Sequence, residues 1–382
     1  MVRVSLFIYL LFCTYSIVGF FLPPFLQSKG LDSSQIGTIL AVGSLVTIFA
    51  QPTWGYISDK KKTIKPVLQL LLVCGLLASM GFFSATAFAA ILFFYGLFSF
   101  FNSATGPLAE TLCISFAQEH KKNFGSIRLW GEIGVGSSAL LLGMIVDRIG
   151  IQYLNVLYAL TMCVAIAATF LLSNSTSTTP PVRLGELGKL FVKKKLLWCL
   201  LLALIMGIPH KMNDSMLAIF LKDMGATDTQ LGMAWLVATF STVPAFFFVG
   251  KLMTKWNELG ILFIAALAYT ARWLIYSQAE SPALLIGAQA LHSLTFPLFF
   301  VSFIQYLFHI VPPELRASGQ ALFAVTFGGL GGIIGNSVGG IAMERIGPEL
   351  TYLSGAAFAF FGAAAILGTY VAEKRRFGRA AA

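Results

Sequence analysis

Eight charged or titratable side chains lie inside long apolar stretches of this sequence. They are Glu110, Arg128, Glu132, His210, Lys211, Asp214, Arg272 and His292. A charge at the centre of a bilayer costs about 2.5–3.5 kcal/mol on insertion scales, so such residues mark solute or ion pathways by default. Guanidinium and carboxylate groups recognise hydroxyls and carboxylates, and Asp, Glu and His relay protons. These residue types therefore predict binding and proton transfer within a membrane.

The spacing of Arg128 and two acids predicts an ion cluster. Glu132 follows Arg128 by four residues, so both lie on one helix face. Glu110 belongs to the preceding apolar stretch and can reach Arg128 from there. A substrate clamp is the functional interpretation, because a guanidinium presents a planar fork to hydroxyls or a carboxylate. An ion cluster that only fixes the packing is the alternative.

A second group lies further along the chain. Lys211 and Asp214 are three residues apart and can pair on one helix face. They form either a gate or coupling pair, or a self-satisfied pair near a kink at Pro209. His210 precedes them and is predicted to line the same cavity.

The elements that position these residues are membrane spans. Hydrophobic residues make up 57% of the 382 residues, charged residues only 11%, and mean hydropathy is +0.81. A soluble domain carries about 25% charged residues. We predict twelve spans of about 20 apolar residues, at 4–26, 34–57, 66–86, 88–114, 125–147, 151–173, 197–221, 229–250, 258–277, 283–310, 316–342 and 349–371.

The distribution of positive charge orients these spans. With a cytoplasmic N-terminus, nineteen lysines and arginines fall in cytoplasmic segments and four fall outside. This is a strong positive-inside bias. The net charge of +10 is thereby explained without nucleic acid as a partner. We predict a multi-pass protein of the cytoplasmic (inner) membrane with both termini cytoplasmic.

A repeat divides the chain into two halves. FLQSKGLDSSQIG at 25–37 and FLKDMGATDTQLG at 220–232 share Phe, Leu, Gly, Gln and a closing Gly at an offset of 195 residues. The same offset carries Lys60 onto Lys255. We predict an all-α membrane fold of two six-helix bundles, 1–172 and 197–382, joined by a cytoplasmic linker at 173–196. Binding at the interface of such repeats is typical of alternating-access transport.

The linker itself allows two interpretations. Leu184, Leu187 and Leu190 share a helical face among basic residues, which predicts a short helix on the membrane surface. A plain flexible linker is the alternative.

At the end of span 2, the sequence resembles a known transporter signature. Gly55-Tyr-Ile-Ser-Asp59-Lys60 is similar to the G-x-x-x-D-[RK] loop of the major facilitator superfamily. The resemblance implies that Gly55, Asp59 and Lys60 form a conformational latch on the cytoplasmic side. In the second half Thr254 replaces the acid.

A finer resemblance rests on the charged residues. Gly125, Arg128, Trp130 and Gly131, with an acid eighteen residues before the arginine, resemble the lactose permease and phenylpropionate permease families, which are related to nucleoside/proton symporters. Arg272 and His292, twenty residues apart, extend the likeness, and their surroundings are most similar to the phenylpropionate permease family. The resemblance implies that the first arginine and its acid hold substrate. It assigns the second arginine and the histidine to binding and proton coupling.

The sequence departs from the lactose permease pattern at three places. Thr295 replaces a proton-bearing carboxylate, Val135 replaces a sugar-stacking tryptophan, and residues 229–250 contain no acid. These departures argue against a lactose-like sugar site and require a different proton route.

Together these features predict a secondary active transporter of a small organic solute, an aromatic acid, a nucleoside or a sugar, that works by proton symport as a monomer. An uncoupled facilitator or exporter is the alternative. The predicted substrate residues are Asn102, Glu110, Arg128, Glu132, Arg272 and His292. The predicted proton-coupling or gating residues are His210, Lys211, Asp214 and His292. No nucleophile, metal-ligand or nucleotide motif was found, so we expect neither an enzyme nor a cofactor.

Overall fold

A computed structural model describes residues 1–173 and 194–380 of the chain. The described residues are 89% helical and contain no strand. The predicted surface helix around Leu184, Leu187 and Leu190 lies outside these ranges. The first six helices are α1 Val2–Ser28, α2 Ser33–Lys60, α3 Lys65–Ser84, α4 Phe88–Glu119, α5 Phe124–Ile149 and α6 Ile151–Thr169.

Six further helices follow residue 193. They are α7 Lys194–Asp223, α8 Asp228–Met253, α9 Glu258–Ser277, α10 Pro282–Ile310 and two helices, α11 and α12, that share the stretch from Arg316 to Ala380. Gly347, with φ 79° and ψ 169°, separates α11 from α12. This left-handed backbone favours glycine, and Pro348 then restarts the helix.

The helix count agrees with the predicted twelve spans. Ten stretches of described residues are long and apolar enough to cross a bilayer, and the tenth, Ser318–Arg375, contains both α11 and α12. Helix α8 supplies the twelfth, with 26 residues and no charge between 229 and 250. The predicted all-α fold is thus confirmed.

Four spans contain irregular turns or breaks that the hydrophobic pattern did not reveal. Helix α1 contains a π-helical turn at Ile17–Phe21, and α4 is broken between Asn102 and Thr105. Helix α10 contains a 3₁₀ turn at Gln289–Leu291, and α11 contains a π-helical turn at Val325–Leu330. Such irregular turns are frequent at functional sites.

The described residues pack into two compact units. The first is drawn from 1–181 and 214–236, and the second from 182–213 and 237–382. The last part of α7 and the first part of α8 therefore pack with the first six helices. The division into repeats at 172/173 and 196/197 stays a prediction.

Within the first unit, α5 packs tightly against the start of α8. A Cβ on Gly143 would lie 2.2 Å from the Asp228 carbonyl oxygen, and one on Gly232 would lie 2.2 Å from the Ala139 carbonyl oxygen. Asp147 accepts hydrogen bonds from the backbone N–H groups of Asp228 at 2.7 Å and Thr229 at 2.8 Å. Small residues thus let the two backbones approach, and a carboxylate satisfies the first amides of α8.

In the same unit, two lysines donate hydrogen bonds to carbonyl oxygens at the C-terminal ends of helices. Lys29 Nζ donates to the carbonyl oxygens of Phe83 and Ala85, both at 2.6 Å, at the end of α3. Partial burial lowers the pKa of Lys29, because desolvation disfavours the ammonium. Lys65 Nζ similarly donates to the Leu172 carbonyl oxygen at 2.6 Å, just after α6. Cations at helix C-termini are stabilising.

Candidate functional site

Three predicted site residues form one ion cluster in the first unit, here called the arginine triad. Arg128 Nε donates to Glu110 Oε1 at 2.8 Å, and Arg128 Nη1 donates to Glu132 Oε1 at 3.0 Å. Helix α5 supplies Arg128 and Glu132 one turn apart, and α4 supplies Glu110. The structure thus brings together the residues that the spacing predicted to meet.

The triad keeps hydrogen-bonding capacity free. The side chains of Arg128, Glu110 and Glu132 are 27%, 41% and 34% exposed. Each acid uses only Oε1, and within the described residues Arg128 Nη2 and both Oε2 atoms make no hydrogen bond. With two carboxylates for one guanidinium, the formal charge of the ionised triad is −1. It can therefore accept and donate hydrogen bonds toward a solute.

The aromatic ring of Phe12 packs against the triad. The guanidinium of Arg128 lies 4.4 Å from the centre of the Phe12 ring, a cation–π distance. A Cβ on Gly131 would lie 2.8 Å from Arg128 Nη1, so the absence of a side chain there leaves room for the guanidinium. Phe12 and Tyr15 meet edge to face at 5.2 Å. Phe12 is 8% exposed, so its ring fixes the position of the guanidinium.

The break in α4 adds polar atoms near Tyr15. Thr105 Oγ1 donates to the Asn102 carbonyl oxygen at 2.6 Å, so it accepts from the Tyr15 hydroxyl, also at 2.6 Å. The structure places Asn102 at this break, where its backbone oxygen anchors the next helix. Its predicted role in substrate binding stays a prediction.

The second predicted cluster lies in the second unit and centres on Arg272. Its Nη1 donates to His292 Nδ1 at 2.9 Å, and its Nε donates to the Tyr276 hydroxyl at 3.2 Å. Its Nη2 donates to Gln289 Oε1, and Thr295 Oγ1 lies 3.5 Å from Nη1. We call these five residues the arginine–histidine cluster. The 3₁₀ turn of α10 presents Gln289 and His292 toward α9.

Burial of Arg272 gives the cluster its chemical character. The residue is 1% exposed, yet all its hydrogen-bond partners in the described chain are neutral groups. Arginine has no acceptor, so His292 Nδ1 must carry a lone pair in this contact. A proton on that nitrogen would replace the hydrogen bond by repulsion between two cations. The contact is therefore sensitive to protonation of His292.

His210 lies beside this cluster. Its Nδ1 is 3.0 Å from the Tyr269 hydroxyl, and its ring is stacked on Phe296 with centroids 5.2 Å apart. The His292 ring is parallel to the His210 ring at 6.1 Å. The structure thus places two predicted histidines in one aromatic stack.

The remaining predicted residues lie on single helices. Lys211 and Asp214 are one turn apart on α7, and both are partly exposed. Gly55, Asp59 and Lys60 lie in the last two turns of α2. Lys60 is exposed and its Nζ lies 5.9 Å from the Tyr56 ring centre. Latching and gating by these residues stay predictions.

Sequence reasoning missed several residues of the site. Gln289 is fully buried, and its amide nitrogen has no partner among the described residues. Its position one turn before His292 was the available signal. Tyr276 likewise follows Arg272 by one turn. Phe12 and Tyr269 carried no sequence signal, because aromatic residues are abundant throughout the spans.

Comparison with known proteins agrees with this architecture. The sequence profile of the MFS_1 like family matches residues 1–354. The maltose permease of Geobacillus stearothermophilus is 28% identical over 370 residues, which cover 96% of this chain and 92% of the permease. The probable 3-phenylpropionic acid transporter of Escherichia coli K12 is 24% identical over 324 residues, 81% and 84% of the two chains.

A solved structure shares the fold. The crystal structure of the nucleoside transporter NupG superposes with a TM-score of 0.87 over 97% of this chain and 98% of that one, at 18% sequence identity. The resemblance to major facilitator permeases predicted from the charged residues is confirmed. The protein belongs to the MFS_1 like family and is a multi-pass membrane transporter of the major facilitator superfamily.

Proposed function

We propose that the protein moves a neutral, hydroxylated solute, a sugar or a nucleoside, across the cytoplasmic membrane by proton symport. The observation that carries this proposal is the arginine triad. Its free Oε2 atoms accept hydrogen bonds from solute hydroxyls, while Arg128 Nη2 donates to a solute oxygen. Phe12 holds the guanidinium in place at a cation–π distance of 4.4 Å.

Charge argues against the third predicted solute class, the aromatic acids. Arg128 is already paired with two carboxylates, and an anionic solute at the triad would meet an excess of negative charge. Arg272 is too deeply buried to receive a solute carboxylate without rearrangement of its cluster. Two similar proteins support a sugar or nucleoside as the solute, since one is a maltose permease and the other a nucleoside transporter.

Proton coupling is assigned to the arginine–histidine cluster. Within the described residues no carboxylate contacts Arg272, and Thr295 stands where lactose permeases carry one. Of the two titratable groups that contact the arginine, His292 and Tyr276, only a histidine has an ordinary pKa near neutral pH. Its protonation would break the contact with Arg272 and so couple proton binding to a rearrangement of α9 against α10. Asp214, Glu110 and Glu132 are the other candidate carriers.

The experiment that tests the function uses the purified protein in liposomes with a trapped pH dye. Pools of sugars, nucleosides and aromatic acids are added at zero membrane potential. Internal acidification with the sugar or nucleoside pool is the expected result. A response to aromatic acids alone would overturn the solute class. Exchange of labelled solute without proton movement would establish the uncoupled facilitator instead.

Replacement of His292 by glutamine is expected to separate binding from coupling. Glutamine cannot take up the proton, so concentrative uptake should fall at least tenfold while exchange of labelled solute at equal pH persists. Both rates are measured in the same liposomes. His309→Gln is the matched control, since His309 lies at the end of the same helix and is 63% exposed. If His292→Gln still drives proton uptake with solute, the carrier is one of the three acids.

A further inference from the structure

Two crevices lie at places related by the sequence repeat. One, of about 620 Å³, is lined on α2 by Trp54, Tyr56, Ile57, Lys60 and Lys61. The other, of about 910 Å³, is lined at the end of α8 by Val249, Lys251 and Leu252 and just after it by Lys255, among other residues. The offset of 195 residues carries 54, 56, 57 and 60 onto 249, 251, 252 and 255. Each half thus has a crevice with a lysine at the C-terminal end of the corresponding helix, α2 or α8.

The larger crevice has apolar walls and a basic end. Between α8 and α10 its walls are mainly apolar and include Pro244, Phe248, Leu252, Leu294 and Leu298. Phe248 is 64% exposed and Leu294 is 47% exposed. No acidic residue lines it. Both lysines, at 251 and 255, stand at one end and are exposed.

The dimensions match one leaflet of a bilayer. From Ser241 to Met253, where α8 ends, the helix rises about 18 Å at 1.5 Å per residue, and Lys255 follows two residues later. Half of the hydrocarbon core measures about 15 Å. An acyl chain alongside Phe248 and Leu252 would therefore place its headgroup at the two lysines.

We propose that this crevice binds an anionic phospholipid, with the lipid phosphate at Lys251 and Lys255 and an acyl chain along the apolar wall. The proposal rests on the predicted orientation, in which both lysines face the cytoplasmic leaflet, and not on the identity of the transported solute. Ammonium groups near an anionic membrane surface contribute about 1 kcal/mol each. A neutral hydroxylated solute fits less well, because the wall offers few polar atoms.

The test compares the wild-type protein with a Lys251→Gln/Lys255→Gln variant and a Lys121→Gln/Lys122→Gln control. The control pair is exposed in the segment between α4 and α5 and lines neither crevice. Detergent-solubilised protein is titrated with phosphatidylglycerol or phosphatidylcholine, and bound lipid is counted by native mass spectrometry. Thermal unfolding is followed in parallel.

We expect wild-type and control protein to retain phosphatidylglycerol in preference to phosphatidylcholine and to gain thermal stability from it. The affinity of the Lys251→Gln/Lys255→Gln variant for phosphatidylglycerol should fall about thirtyfold, the equivalent of two lysines at about 1 kcal/mol each. Unchanged lipid preference in that variant would overturn the proposal. The proposal would also be overturned if the variant differed from the wild type in its KM for solute in pure phosphatidylcholine vesicles. The crevice would then belong to the solute route. Lipid binding is read without transport, so a failed solute assignment leaves this result interpretable.

Discussion

Replacing Arg128 by alanine is expected to lower the rate of solute transport at least a hundredfold. The change removes the donor that joins Glu110 to Glu132 and leaves two partly exposed carboxylates without the cation that both contact. Hydrogen bonds to charged groups contribute about 1.5–3 kcal/mol each, and the loss of one or two of them accounts for a hundredfold effect. Initial rates of uptake by vesicles with equal amounts of protein measure the effect.

Two further variants separate charge from geometry. Arg128→Lys keeps the positive charge but loses the planar fork, so it should retain only a small part of the activity. The control is Lys121→Ala, at an exposed position in the loop between α4 and α5. This variant should transport at the wild-type rate. If Arg128→Ala transports normally, the triad is only a packing device and the solute site lies elsewhere.

Leucine at Gly232 is expected to abolish transport and to lower the temperature of unfolding by several degrees. Even a Cβ at this position would lie 2.2 Å from the Ala139 carbonyl oxygen. That atom belongs to the backbone of α5 and cannot rotate away. Overpacking of this kind costs about 1–3 kcal/mol. The start of α8 would have to leave α5, so the packing of these two helices in the structure would be lost.

Gly250 on the same helix provides the matched control. No atom lies within 4 Å of a Cβ built there, so Gly250→Leu tests leucine in α8 without the clash. Uptake and thermal unfolding are measured on both variants. Wild-type uptake by Gly232→Leu would show that the close approach of α5 and α8 is not needed for transport.

Much of the fold could be predicted because a membrane restricts the length and composition of each helix that crosses it. A span needs about 20 apolar residues whatever its partners are, so twelve spans follow from hydropathy alone. Charges inside spans must find partners, which is why Glu110, Arg128 and Glu132 could be expected to meet. Their spacing along α4 and α5 sufficed, without knowledge of packing.

The rest of the site depends on backbone irregularity and on neutral partners. The break after Asn102 and the 3₁₀ turn at Gln289 leave no mark in a hydrophobic pattern. Gln289 is also one uncharged residue among many polar ones, although its amide oxygen accepts a hydrogen bond from Arg272 Nη2. The stack of His210 on Phe296 arises from tertiary packing between α7 and α10, which spacing within one helix cannot show.

The contact of Asp147 with α8 links the first turn of that helix to its packing against α5. In the first repeat, Asp32 accepts from the Gln35 amide and caps its own helix. In the second repeat Thr227 likewise accepts from the Gln230 amide at 3.1 Å, and Asp147 of α5 accepts in addition from the amides of Asp228 and Thr229. Capping is worth about 0.5–2 kcal/mol. If α8 separated from α5, its first turn would lose the two hydrogen bonds to Asp147 and keep the Thr227 cap, so this contact favours the joined arrangement of the two helices.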